Sequence, residues 1–205
     1  METLQLEGQR VRLRDWTVAD LDVYGHWLQP GHRWQELDGP YYKNPGADDI
    51  PDILERLRTR ITTGNIAVPR QNLVIAETQQ NTLIGRVSRY WISEETNWLA
   101  AGITIFDPSL WGQGYGYTAL GLWTDYLFHA FPALVRLDLQ TWSGNAGMMG
   151  LAQKLGYQLE GRFRQARIVA GAYYDALGYG VLRAEWQQRY PDGFPREPSY
   201  EDREL

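Results

Sequence analysis

The sequence predicts an α/β chain of the α+β kind: one mixed, largely antiparallel sheet of about seven strands with helices on both faces. Three observations carry this. Short segments of β-type residues or apolar–polar alternation recur along the chain. Between them lie segments with apolar residues at helical spacing. In the middle, three strand segments follow one another across short polar turns, the pattern of a meander. The length, 205 residues, fits one domain. That domain is set at residues 1–189. Residues 190–205, with Pro191, Pro195, Pro198 and a mostly acidic end, are expected to form a flexible tail.

Val11–Arg14 alternates and reads as the first strand. Thr17 and Asp20 form a variant capping box, with Asp in the usual Glu or Gln place. Leu21, Tyr24 and Leu28 then fall on one helical stripe. Residues 29–46 read as loop, punctuated by Pro30, Gly31, Gly39, Pro40, Pro45 and Gly46. Ile50, Leu54, Leu57 and Ile61 predict a second helix, with Pro51 near its start. The meander comprises Leu73–Glu77, Leu83–Ile92 and Trp98–Phe106. Leu120, Trp123, Leu127 and Phe131 place a long helix after the glycine-rich turn at 111–116. Leu134–Thr141 reads as a strand. Asn145 opens a short helix that buries Met148, Leu151 and Leu155, and Gly156 stops it. Arg162–Val169 and Asp175–Leu182 complete the sheet.

Composition excludes several classes. A net charge of −5 argues against nucleic-acid binding by bulk charge, since phosphate affinity rests on Lys and Arg. With no cysteine, disulfide scaffolds, thiolate zinc sites and cysteine nucleophiles are out. His26, His32 and His129 lie at no metal-binding spacing, so no metal is expected. The N-terminus lacks the basic start and apolar stretch of a signal peptide, and no apolar run approaches a membrane span. A cytoplasmic protein without a membrane or nucleic-acid partner is the expectation.

Chemistry concentrates in two segments. Trp111-Gly112-Gln113-Gly114-Tyr115-Gly116 lies between a strand and a helix. Backbone N–H groups in such a turn converge, and the helix N-terminus adds positive potential, so the turn suits a phosphate or pyrophosphate. A plain tight turn is the alternative. A dinucleotide-binding reading fits poorly, because that turn should follow the first strand of a βαβ unit. The second segment runs from Asn145 to Tyr157; taken alone, Asn145 reads as a helix N-cap.

Together, in this order and separation, the two segments resemble the GNAT superfamily of acyl-CoA N-acyltransferases. The matching pieces are Gly114-Tyr115-Gly116, Asn145 and Lys154-Leu155-Gly156-Tyr157. Asp107-Pro108 ahead of the turn, Glu160-Gly161-Arg162-x-Arg164 and Tyr174-Asp175 ahead of Glu185-Trp186 are similar to the branch holding the ribosomal-protein N-terminal acetyltransferases. The resemblance covers roughly residues 8–187. It implies acetyl-CoA as acyl donor, a primary amine as acceptor and direct attack in a ternary complex. It also implies a cofactor site of Ile103, Thr104, Ile105, Trp111, Gly112, Gln113, Gly114, Tyr115, Gly116, Asn145 and Lys154, a strand bulge suited to Gly102, and a possible homodimer.

The chain departs from the family pattern at the acid and base positions. Ala152 stands where relatives carry a tyrosine, Met148 where the branch often has serine, and Ala100 where it often has glutamate. Candidates for proton transfer are therefore Asp138, Ser143 and Tyr157. Asp138 faces either solvent or the cleft. Ser143 as a cap and Tyr157 as a core aromatic are the plainer readings. Arg162, Arg164 and Arg167 either bind an anion or line an exposed strand. Two other functions remain open: a non-catalytic acyl-CoA sensor with the same fold, and a nucleotide-binding protein of another fold.

Overall fold

The computed structural model describes residues 3–43 and 45–195. Eight strands form one sheet: β1 (Gln5–Glu7), β2 (Val11–Arg14), β3 (Asn72–Glu77), β4 (Leu83–Ser93), β5 (Trp98–Ile105), β6 (Arg136–Trp142), β7 (Gln158–Val169) and β8 (Ala172–Leu182). Their spatial order is β1-β2-β3-β4-β5-β6-β8-β7. Every pairing is antiparallel except β5 with β6. Among the described residues five helices join the sheet: α1 (Asp20–Leu28), α2 (Ile50–Thr63), α3 (Tyr115–Ala130), α4 (Ala146–Lys154) and α5 (Arg183–Arg189), the last of them not expected from the sequence.

Alternation along β3 shows why both faces are covered. Leu73 and Ile75 enter one buried cluster, which holds α3, α4 and α5. Val74 and Ala76 enter the other, built with Leu21, Tyr24, Ile50 and Leu57 of α1 and α2. A strand buried on both sides reads as a continuous apolar run, and Leu-Val-Ile-Ala is one.

Several boundaries differ from expectation. The additional strand, β1, pairs Leu6 with Leu13 at the sheet edge and is too short to show a period. The final hairpin is longer than predicted. Its strands meet at Ala170 and Gly171, both left-handed (φ 48° and 80°), as a two-residue hairpin turn requires. Arg33–Glu36 within the predicted loop and Ala47–Asp49 just after it form single 3₁₀ turns. The expected bulge at Gly102 is absent: Ser88 pairs with Gly102 in register, and the β4–β5 shift falls between Trp91 and Ser93. Tyr190 and Phe194, assigned to the tail, pack on the core. Phe194 is 6% exposed and stacks 5.9 Å from Trp186. Residues 196–205 of that tail lie outside the described residues.

The start of α1 is held by charge. Asp20 reaches back to accept from the Thr17 N–H (2.7 Å) and hydroxyl (2.8 Å), and forms a two-pronged pair with the buried Arg14. Burial opposes ionisation of Asp20, but the Arg14 and Thr17 donors outweigh it and hold its pKa below the ordinary carboxylate value. A lowered folded-state pKa contributes stability above the unfolded value, and that contribution fades as pH falls through the folded one. Asp20→Asn is therefore expected to cost about 1.5–3 kcal/mol at pH 7, the range for charge-assisted bonds. The difference from wild type should shrink as pH falls below about 4, where carboxylates protonate in the unfolded chain. Urea unfolding at pH 7 and pH 3 checks both points.

Among the described residues no helix is long and apolar enough to cross a membrane.

Candidate active site

β5 and β6 run parallel and stay paired only through Ala101 and Leu139. Beyond that point both strands line a cleft of about 450 Å³, β5 through Gly102–Ile105 and β6 through Gln140–Trp142. That volume is in the range of small-molecule sites. The glycine turn closes one end, α4 forms a wall, and the loop carrying Trp34, Asp38 and Tyr41 covers the other side.

Local sequence explains the turn. Gly112 and Gly114 hold φ of 71° and 88°, in the left-handed region that favours glycine. Apart from the glycine itself and its two chain neighbours, no heavy atom of the described residues lies within 4 Å of the place where a Cβ would sit on either residue. A side chain there would fill an open cradle. α3 begins at Tyr115, and the first N–H groups of a helix have no intrahelical acceptor. These features suit an anionic group against the backbone.

The β5 edge supplies further donors. The Phe106 N–H bonds the Ile84 carbonyl toward β4 (2.9 Å). By strand alternation, the N–H and C=O groups of Ile103 and Ile105 face away from β4, into the cleft. The Ile105 carbonyl agrees: it accepts from Trp111 Nε1 at 3.0 Å. The indole at the first position of the turn thus ties the turn to the strand. Side chains alternate too. Ile103 and Ile105 pack with the α3 cluster, whereas Thr104 points to the other face and donates to Asp38 Oδ2 at 2.9 Å.

Asn145 uses both ends of its side chain. Its Oδ1 accepts from the Met148 N–H (3.0 Å), capping α4, and its Nδ2 donates to the Leu37 carbonyl (3.2 Å). Trp142 Nε1 donates to the same carbonyl at 3.1 Å. Two side chains from the β6–α4 corner therefore hold the Asp38 loop over the cleft.

Of the predicted cofactor residues, Ile103, Thr104, Ile105, Trp111, Gly112, Gly114, Gly116, Asn145 and Lys154 line the cleft. Gln113 and Tyr115 are not among its lining residues. The Gln113 carbonyl accepts from Arg10 Nη1 (2.9 Å), and the buried Tyr115 ring lies under the Arg10 guanidinium at 4.5 Å. None of the predicted proton-transfer residues lines it either. Asp138 is 6% exposed and accepts two bonds from Arg136 (2.8 and 2.6 Å), its neighbour two positions away on the same strand face. Ser143 is bound to the Asp175 backbone in both directions, each at 3.0 Å. Tyr157 is a core aromatic, 2% exposed, with its hydroxyl on Thr124 at 2.7 Å; burial pushes its pKa up, away from easy proton loss. Arg162 pairs with Asp175, and the Arg167 guanidinium sits over the Tyr41 ring at 4.5 Å. Asp38 was missed from sequence. Nothing in its spacing separates it from Glu36 in the same loop.

A family model described as acetyltransferase (GNAT) domain matches residues 10–158. The chain belongs to this GNAT acetyltransferase family.

The SPbeta prophage-derived uncharacterized N-acetyltransferase YokL of Bacillus subtilis (strain 168) is 24% identical over 113 residues, 55% of this chain and 63% of that protein. The chain thus matches less than two thirds of that relative's length. Among solved structures, a GNAT-family acetyltransferase from Bacillus anthracis superposes with a TM-score of 0.68 at 16% identity, covering 87% of this chain and 98% of that one. Mycobacterium smegmatis RimJ, in complex with CoA-disulfide, gives 0.65 at 18% identity, covering 89% and 88%. At these identities the structural likeness is one of fold. The parted β5–β6 pair and the glycine turn at the α3 N-terminus together complete the cleft.

Proposed function

We propose that this GNAT chain transfers an acetyl group from acetyl-CoA to a primary amine by direct attack in a ternary complex. One observation carries the reading. A single cleft joins a left-handed glycine cradle at a helix N-terminus to a strand edge whose free N–H groups face inward. The cradle from Gly112 to Gly116 fits the CoA pyrophosphate, which needs close backbone approach. Ile103 and Ile105 would receive the pantetheine arm as an added strand and offer N–H groups to the oxyanion that forms at the acyl carbon. Lys154 and the face of α4 would border the arm. Holding both substrates in one cleft supplies rate by approximation alone, up to about 7–11 kcal/mol in ideal cases. RimJ, solved with CoA-disulfide, supports CoA as the donor scaffold.

The test is thiol release from acetyl-CoA with a panel of a monoamine, a diamine and an unblocked hexapeptide. Amine-dependent release is expected with at least one of them. Tight acetyl-CoA binding with no release from any would leave the second reading, a non-catalytic acyl-CoA sensor. That reading is favoured by the apolar residues Ala100, Met148 and Ala152 at the usual acid and base positions; Ala100 and Ala152 are wholly buried.

A further inference from the structure

Among the described residues lining the cleft, Asp38 is the one carboxylate. It is solvent-exposed. Its Oδ2 is fixed by Thr104, the β5 residue between the two cleft-facing donors Ile103 and Ile105. Trp34, Tyr41 and Trp142 line the same cleft, the Tyr41 ring with the Arg167 guanidinium over it at 4.5 Å, and aromatic faces attract cations. The other titratable groups bordering the cleft are Tyr41 on its own loop, Tyr117 on α3 and Lys154 on α4, whose ammonium sits 5.1 Å from the Tyr117 ring centre. The lining residues of β5 and β6 carry no charge.

We propose that Asp38 receives the acceptor as a cation and takes its proton, with Thr104 as the positioning residue. This rests on the acetyl-transfer reading and deepens it: the acceptor class is a cationic primary amine, and the base sits on the α1–α2 loop. The step balances as follows. An ammonium N–H bond breaks and its proton passes to Oδ1 of Asp38, the oxygen that Thr104 leaves open. The freed nitrogen lone pair forms the C–N bond to the thioester carbon. The C–S bond breaks, its electron pair leaves with sulfur, and a second amine proton converts the thiolate to thiol. The third hydrogen stays on the amide. Asp38 then returns its proton to water.

Asp38→Asn keeps the Thr104 bond and the shape but removes the charge. With the best acceptor of the panel, its kcat/KM at pH 7 is expected to fall about 100-fold. Acetyl-CoA affinity, read by calorimetry, should stay within twofold of wild type. The loss should narrow as pH rises and the amine becomes neutral in solution. Thr104→Val should lose activity several-fold, with Thr104→Ser restoring it. An Asp38→Asn variant with wild-type kcat/KM at pH 7 overturns the assignment while acetyl transfer stands. Equal loss of acetyl-CoA affinity also overturns it, by moving Asp38 to the donor side. A wild-type protein that turns over no amine overturns both readings together.

Discussion

Gly114→Val is expected to weaken acetyl-CoA binding at least 100-fold while the protein stays folded. Two effects act together. At φ 88° a β-branched residue is strained, since L-residues pay about 1–2 kcal/mol in the left-handed region. The added side chain also fills the cradle that is open around the Gly114 Cα, so an anion loses its approach to the backbone N–H groups. A 100-fold loss corresponds to about 2.7 kcal/mol. Gly171→Val is the control. Gly171 has φ 80° and equally open surroundings, but sits in the β7–β8 hairpin turn. It carries the strain without the cradle, so its acetyl-CoA affinity should match wild type. Calorimetric titration of both variants decides. Unchanged binding in Gly114→Val would remove the glycine turn from the donor site.

Trp123→Ala should be the most destabilising of these changes to the fold. Trp123 is 0% exposed on α3, stacks on Tyr126 at 5.1 Å and donates from Nε1 to the Ser88 carbonyl of β4 at 2.9 Å. Truncation removes the buried ring, leaves a cavity and takes the indole donor from the Ser88 carbonyl. Together these cost about 3–5 kcal/mol. For a chain of this size that lowers the melting temperature by about 10 °C. Trp123→Phe keeps most of the ring volume and should lose less. The effect also reaches the cleft, because Ser88 pairs with Gly102 where β5 begins to part from β6. Thermal unfolding of both variants, with and without acetyl-CoA, separates the packing loss from the site loss.

Much of this architecture was legible because its causes are local. The stripe of α3, the N-cap at Asn145 and the positive-φ glycines of the turn are each imposed by residues a few positions apart. The Arg136–Asp138 pair was legible in principle as well, since residues two apart on a strand share a face. That pairing accounts for why Asp138 is held away from the cleft. Tyr157 is different. Its bond partner, Thr124, belongs to α3, 33 residues away in the chain, and only packing reveals that its hydroxyl is spent in the core. The inward Phe194 follows the same logic: proline-rich surroundings suggest a loose tail, but Trp186 and Tyr117 offer it a face to cover.

The sequence by itself determined helices α1 to α4, the meander, the glycine cradle and the family pattern that joins it to Asn145, because each depends on backbone preference or short-range periodicity; α5, a short helix after the last strand, was not among them. Tertiary structure alone decided what the cleft contains. The Leu37 carbonyl receives Trp142 and Asn145 from 105 and 108 residues away, and Asp38 meets Thr104 across 66. Such contacts arise when distant segments converge on the gap between two parting strands. No periodicity marks them, since a loop carboxylate acquires its chemistry from the strand it lands beside.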